Sequence, residues 1–165
     1  MTRRRSSSAG AAVLLPLLEE SYRTVSWHGT NLRGSLRGLT PAQLAWRPSP
    51  DRHNIWEIAL HCAYWKYVVR RRITGEKRGS FPLAGSNFFR RPVRGTAAAW
   101  REDLRLLDEM HDALVSEVGR LSDARLRART ATGRFTNRQL VTGAAAHDLY
   151  HAGQIQLLKR LQSRL

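Results

Sequence analysis

Apolar residues recur along this chain at steps of three and four, the repeat that one buried helical face requires. Leu18, Tyr22, Val25, Gly29, Leu32, Leu36 and Leu39 form the first such stripe. They predict a helix over residues 14–39, closed by Gly38 and Pro41. Ile55, Ile58, Cys62, Trp65 and Val69 form the second, over residues 54–74. Asn54 suits its N-cap, Glu57 stands at the capping-box position, and Gly75 ends it. Trp100, Leu104, Leu107, His111, Leu114, Val118 and Leu121 mark a third helix over residues 96–119. Leu140, Ala144, His147, His151, Gln154 and Leu158 mark a fourth over residues 136–161. It opens on Thr136 with Gln139 three residues later, a regular capping box.

The connections carry turn chemistry. Residues 40–53 include Trp46-Arg47-Pro48-Ser49-Pro50, and proline biases its predecessor toward extended backbone, so an ordered loop is expected. Residues 75–95 are rich in glycine and hold Phe81, Phe88 and Phe89. A connection of that length borders functional sites more often than short ones do, and it permits the next helix to run parallel to the one before. Four amphipathic helices predict an all-α four-helix bundle. The basic start, residues 1–12, reads as a flexible arm, and residues 13–165 as one domain.

Composition agrees: hydrophobic residues make up 42%, Val and Ile are sparse, and Leu, Ala and Arg are common. The single cysteine, Cys62, excludes an intrachain disulfide and a cysteine-rich zinc module. The apolar stretch from Ala9 to Leu18 follows Arg3–Arg5, a superficial likeness to a signal peptide. It is interrupted by Pro16 and continues into the first amphipathic helix, so a soluble, cytoplasmic protein is expected. No apolar run reaches the roughly 18 residues of a membrane span. Net charge is +15, from 28 Lys+Arg against 13 Asp+Glu. Such an excess can serve nucleic acid, but it is spread along the chain and almost all of it is arginine, so nucleic-acid binding is the least favoured function.

The fourth stripe carries the candidate chemistry. His147 and His151 stand where a bundle wants leucine. Four residues apart, their imidazoles share one helix face, about 5–6 Å apart at Cβ. Neutral imidazole is a common ligand for zinc, nickel and iron. Glu does not follow His147, so the zinc-hydrolase helix motif is not present. On spacing alone His61, His111 or His28 could supply a third ligand, whereas His53 reads as loop or cap. Gln154 is placed either to orient the pair or to make an ordinary interhelical hydrogen bond. Cys62 points about 100° away from His61 and reads as a small core residue. Trp27, Trp56, Trp65 and Trp100 read mainly as bundle packing, and Arg47, Arg90, Arg91 and Arg94 as loop arginines open to an anion or to solvent.

The run Ile55-Trp56-Glu57-Ile58-Ala59-Leu60-His61-Cys62-Ala63-Tyr64-Trp65 resembles the second-helix motif of the DinB/YfiT-like superfamily. Ala146-His147-Asp148-Leu149-Tyr150-His151-Ala152-Gly153-Gln154-Ile155 resembles its fourth-helix motif, and Leu44-Ala45-Trp46-Arg47-Pro48 its preceding loop. The resemblance implies an up-down-down-up bundle with a three-histidine metal site, here His61, His147 and His151. It also implies zinc or nickel, a homodimer, and a small-molecule substrate. The reaction class it implies is transfer or isomerisation dependent on low-molecular-weight thiols such as bacillithiol and mycothiol. A metal-binding or stress-response protein without turnover is the alternative.

Overall fold

The computed structural model describes residues 7–130 and 133–163. Its helices are α1 (Ala9–Tyr22), α2 (Leu32–Ser35), α3 (Pro41–Ala45), α4 (Ile55–Thr74), α5 (Ala97–Val118), α6 (Asp123–Arg127) and α7 (Asn137–Gln162). Among the described residues there is no strand, only an isolated bridge between Arg129 and Thr136. Four of these helices build the bundle, with α4 packed on α5 and α7, and α1 on α7.

Side-chain contacts fix the helix directions. The start of α1 meets the end of α5, where the Gly10 amide donates to Asp123, while Arg23, beyond its other end, pairs with Asp112. The starts of α4 and α5 lie together, through Trp56 against Trp100 and Trp56 Nε1–H to Asp103. Their ends lie together as well, where Arg125 reaches the Ile73 carbonyl. Thus α4 runs parallel to α5, and α7 runs back along α4. This is the up-down-down-up order, and residues 75–96 form the long return that it requires.

The three long helices start on the predicted caps. Asn54, Thr96 and Thr136 each accept a backbone N–H from three residues on, and Gly75 closes α4 in the left-handed region at φ 81°. The capping box is reciprocal at Thr136 and Gln139 but not at Asn54, because the Glu57 carboxylate turns to Arg47 instead.

The first predicted helix does not run from 14 to 39. It begins at Ala9, capped by Ser8, and stops at Tyr22; a loop follows in which Gly29 takes φ 103°, out of reach of a helix. Leu32 and Leu36 are buried from the separate turn of α2, whereas Val25 and Trp27 are 97% and 96% exposed. Trp27 is therefore not bundle packing. Residues 9–12, expected to lie in a flexible arm, belong instead to α1, where Ala11 is fully buried. Residues 1–6 of that arm lie outside the described residues. The proline-rich connection contains α3, with its own capping box at Thr40 and Gln43, and the polar stretch after α5 contains α6.

The core divides into two apolar clusters. One gathers Leu36, Trp56, Leu60, Leu107 and Ile155. The other gathers Leu14, Leu18, Val69, Leu114, Val118 and Val141. Between them every long helix changes from apolar to polar: Ser21 on α1, Lys66 on α4, His111 on α5 and Asp148 on α7 are all buried. The candidate site lies at this polar layer. No described helix is long and apolar enough to cross a membrane.

Candidate metal centre

Helix α7 positions two of the three histidines, but its buried face is displaced from the predicted stripe. The residues buried most deeply are Val141, Ala145, Asp148, Ala152 and Ile155, one position around the helix from the stripe that contains the histidines. His147 consequently sits at the edge of the core and remains half-buried, while His151 is buried. His61 projects from the middle of α4 toward the same point.

The three Nε2 atoms converge. His147 Nε2 lies 3.1 Å from His61 Nε2 and 3.1 Å from His151 Nε2, and the three residues offer ring nitrogens within 4.8 Å of one another. The far ring nitrogens of His61 and His151 are engaged elsewhere. The Asn87 carbonyl can only accept, so at 3.0 Å it fixes the hydrogen of His61 on Nδ1. Gln154 Oε1 does the same for His151 Nδ1 at 2.7 Å. Gln154 therefore orients the site. Asn87 holds its carbonyl in place from the left-handed region, at φ 66°, and its side chain accepts from Trp65 Nε1–H.

Burial keeps these rings neutral. Desolvation lowers the pKa of His61 to about 4 and that of His147 to about 3, and lowers that of His151 as well. Two unprotonated nitrogens thus face His147 Nε2 at hydrogen-bond distance. A proton on that atom can serve only one of them, and without a proton three lone pairs oppose one another. A bound cation would resolve the conflict. Nitrogens bound at about 2.1 Å with octahedral to tetrahedral angles stand about 3.0–3.4 Å apart, which the observed 3.1 Å separations match. The donor set fits a divalent ion of the imidazole-binding kind.

The other histidines are elsewhere. His28 is exposed on the loop after α1, and His111 is fully buried on α5, stacked on Tyr22. His53 precedes the cap; its Nδ1 lies 3.0 Å from Glu57 and its ring stacks on Phe88. Phe88 in turn stacks on His61 with ring centroids 4.0 Å apart. Cys62, His147 and Asp148 also offer donors within 4.8 Å of one another. Burial holds the Cys62 thiol protonated, and the Asp148 carboxylate is committed to Lys66, so this set is the poorer one. Cys62 is a core residue, as its position on the helix suggested.

Two supports of the site have no obvious signal in the sequence. The first is a buried ion pair, Lys66 on α4 with Asp148 on α7, which joins the two ligand-bearing helices. The second is the anchor of the long connection. Burial would raise the Glu57 pKa, but hydrogen bonds from Arg47, His53 and the Arg91 amide outweigh it and bring it to about 2. Asn54 Nδ2–H also donates to the Arg91 carbonyl at 2.8 Å. Arg91 further pairs with Asp103, so Arg47 and Arg91 are structural, while Arg90 and Arg94 are exposed. These bonds fix the segment that delivers Asn87 and Phe88 to His61.

The buried imidazoles predict how stability depends on pH. His61, His111, His147 and His151 all have folded pKa values below their ordinary value, that of His111 at about 2 through desolvation. The unfolded chain therefore binds more protons below about pH 6.5, and stability is lost as pH falls from there. Burial raises Asp148 to about 6, which opposes this by at most one proton. Urea unfolding of metal-free protein between pH 6 and 5 should lose more than about 1.4 kcal/mol per pH unit. His111→Phe should reduce that slope by about one proton; an unchanged slope would contradict the burial of His111.

Fold and site together define an all-α bundle with a buried three-histidine group that could hold a metal ion. The sequence matches the model of the DinB superfamily over residues 24–155, and the chain belongs to that superfamily. No curated protein and no solved structure matches the chain.

Proposed function

We propose that His61, His147 and His151 bind one divalent metal ion, zinc or nickel, and that the chain is a metal-dependent enzyme acting with a low-molecular-weight thiol. The reaction class is S-transfer or isomerisation, and the assembly a homodimer, in keeping with the family resemblance. The observation that carries the reading is the convergence of three Nε2 atoms, two of them with Nδ1–H directed to an outer acceptor. Three protein ligands leave a coordination position open, the arrangement of a catalytic rather than a structural site. An ion held there lowers the pKa of a bound thiol or water toward neutrality.

The chain's own residues prepare that chemistry. Burial keeps the imidazoles free of protons, and Asn87 and Gln154 hold two of them in the required tautomer. Half-burial of His147 leaves an approach from outside. Cys62, fully buried and held as the thiol, supplies no nucleophile, so the sulfur must come from a second molecule. The test is metal-reconstituted protein mixed with a small thiol and 1-chloro-2,4-dinitrobenzene, following thioether absorbance. Thioether formation that needs both metal and His147 is expected. Metal uptake without reaction across a panel of thiols and electrophiles would instead support a binding protein without turnover.

A further inference from the structure

A cavity of about 260 Å³ opens beside His147, between α4 and α7. Its walls are apolar, formed by Trp65, Val69, Leu140 and Ala144. That volume lies just below the about 300–1,000 Å³ of drug-sized ligand sites, so it admits a compact molecule. Its charges are informative. Lys66 and Asp148 line it but are paired with each other. Arg72 also lines it and has no carboxylate partner among the described residues. Its buried Nε has no acceptor among the described residues, and its guanidinium lies 6.0 Å from the centroid of the Trp65 ring. The neighbouring Arg70, by contrast, is held bidentately by Glu76. A buried guanidinium nitrogen without an acceptor is costly, and the planar fork of arginine suits a carboxylate.

We infer that this cavity is the substrate pocket and that it selects a compact, apolar-bodied carboxylate, whose anionic group is received by Arg72 while its other end faces His147. The inference rests on the reading of the three histidines as the reacting centre, but its selectivity resides in Arg72. Apolar walls bind the body of the ligand through burial, and Arg72, the one cation of the lining without a carboxylate partner among the described residues, sets the sign of its charge.

Equilibrium binding of 4-phenylbutyrate and of its neutral analogue 4-phenylbutyramide tests this. It is measured on metal-free protein, where no ion competes for the carboxylate, and again on metal-loaded protein. The acid should bind more tightly than the amide by on the order of tenfold, and Arg72→Gln should erase that preference. Gly143 lines the same cavity with open space where a Cβ would stand, so Gly143→Leu should block both probes. Leucine is also the better helix former, so this variant should keep its fold and metal content. Equal binding of acid and amide, a preference that survives Arg72→Gln, or binding unaffected by Gly143→Leu would overturn the inference and leave the metal centre standing. A preference for the acid that depends on Arg72, in protein that takes up no metal, would support the pocket and overturn the proposed reaction.

Discussion

His147→Ala should lower zinc or nickel affinity by about two to three decades while leaving the bundle folded. Structural zinc sites bind with about 10–16 kcal/mol shared among four ligands, or about 2.5–4 kcal/mol for each, and each 1.4 kcal/mol is about tenfold. His147 is the ligand shared by both 3.1 Å contacts, so its removal dissolves the cluster rather than trimming one edge. The ring is half-buried and sits at the margin of the core. Its loss from metal-free protein should therefore cost about 1 kcal/mol or less. The two effects separate in a competition titration with a chromophoric chelator and a urea melt of the same sample. A variant that binds metal as well as the parent chain would place the ion elsewhere.

The largest effect on stability is expected at the ion pair behind the ligands. Lys66 and Asp148 are 2% and 1% exposed, deep enough that neither charge is solvated when its partner is lost. The Lys66 ammonium also lies 4.7 Å from the centroid of the Tyr22 ring, whereas Asp148 Oδ1 accepts no hydrogen bond from the described residues. Asp148→Asn should therefore destabilise the protein by about 3–5 kcal/mol, the penalty of an unpaired buried charge. Replacing both partners with apolar residues of similar size, Lys66→Met with Asp148→Leu, should recover most of that loss, because both desolvation penalties disappear together. Urea unfolding of the three proteins checks the pattern. A single substitution costing less than about 1 kcal/mol, or a double variant no better than the single, would mean that water reaches the pair.

Much of the fold was legible because helix boundaries are written locally. Asn54, Thr96 and Thr136 are caps whose side chains act within three residues, and Gly75 supplies a left-handed stop. The first helix was overextended because Leu32 and Leu36 fall by coincidence in phase with Leu18 and Tyr22. The same Thr-x-x-Gln signal that opens α7 also opens α3, where it stands among prolines that suggested only loop. The paired histidines were legible from their spacing on one helix. The third ligand was not, since spacing left His61, His111 and His28 equal and only the family resemblance selected His61. Asn87 contributes a backbone carbonyl, which has no residue signature, and Lys66 meets Asp148 across 82 positions of chain. The apolar stripe located the face of α7 to within one residue. That small offset decides accessibility, because it puts Asp148 in the interior and leaves His147 at the edge.

The central claim is that three neutral imidazoles form one metal centre, and a metal titration tests it most directly. Protein purified without a histidine tag and stripped of metal should take up one zinc or nickel ion per chain, and His61→Ala, His147→Ala and His151→Ala should each abolish tight uptake. A wild-type chain that remains metal-free after incubation with both ions would contradict the account.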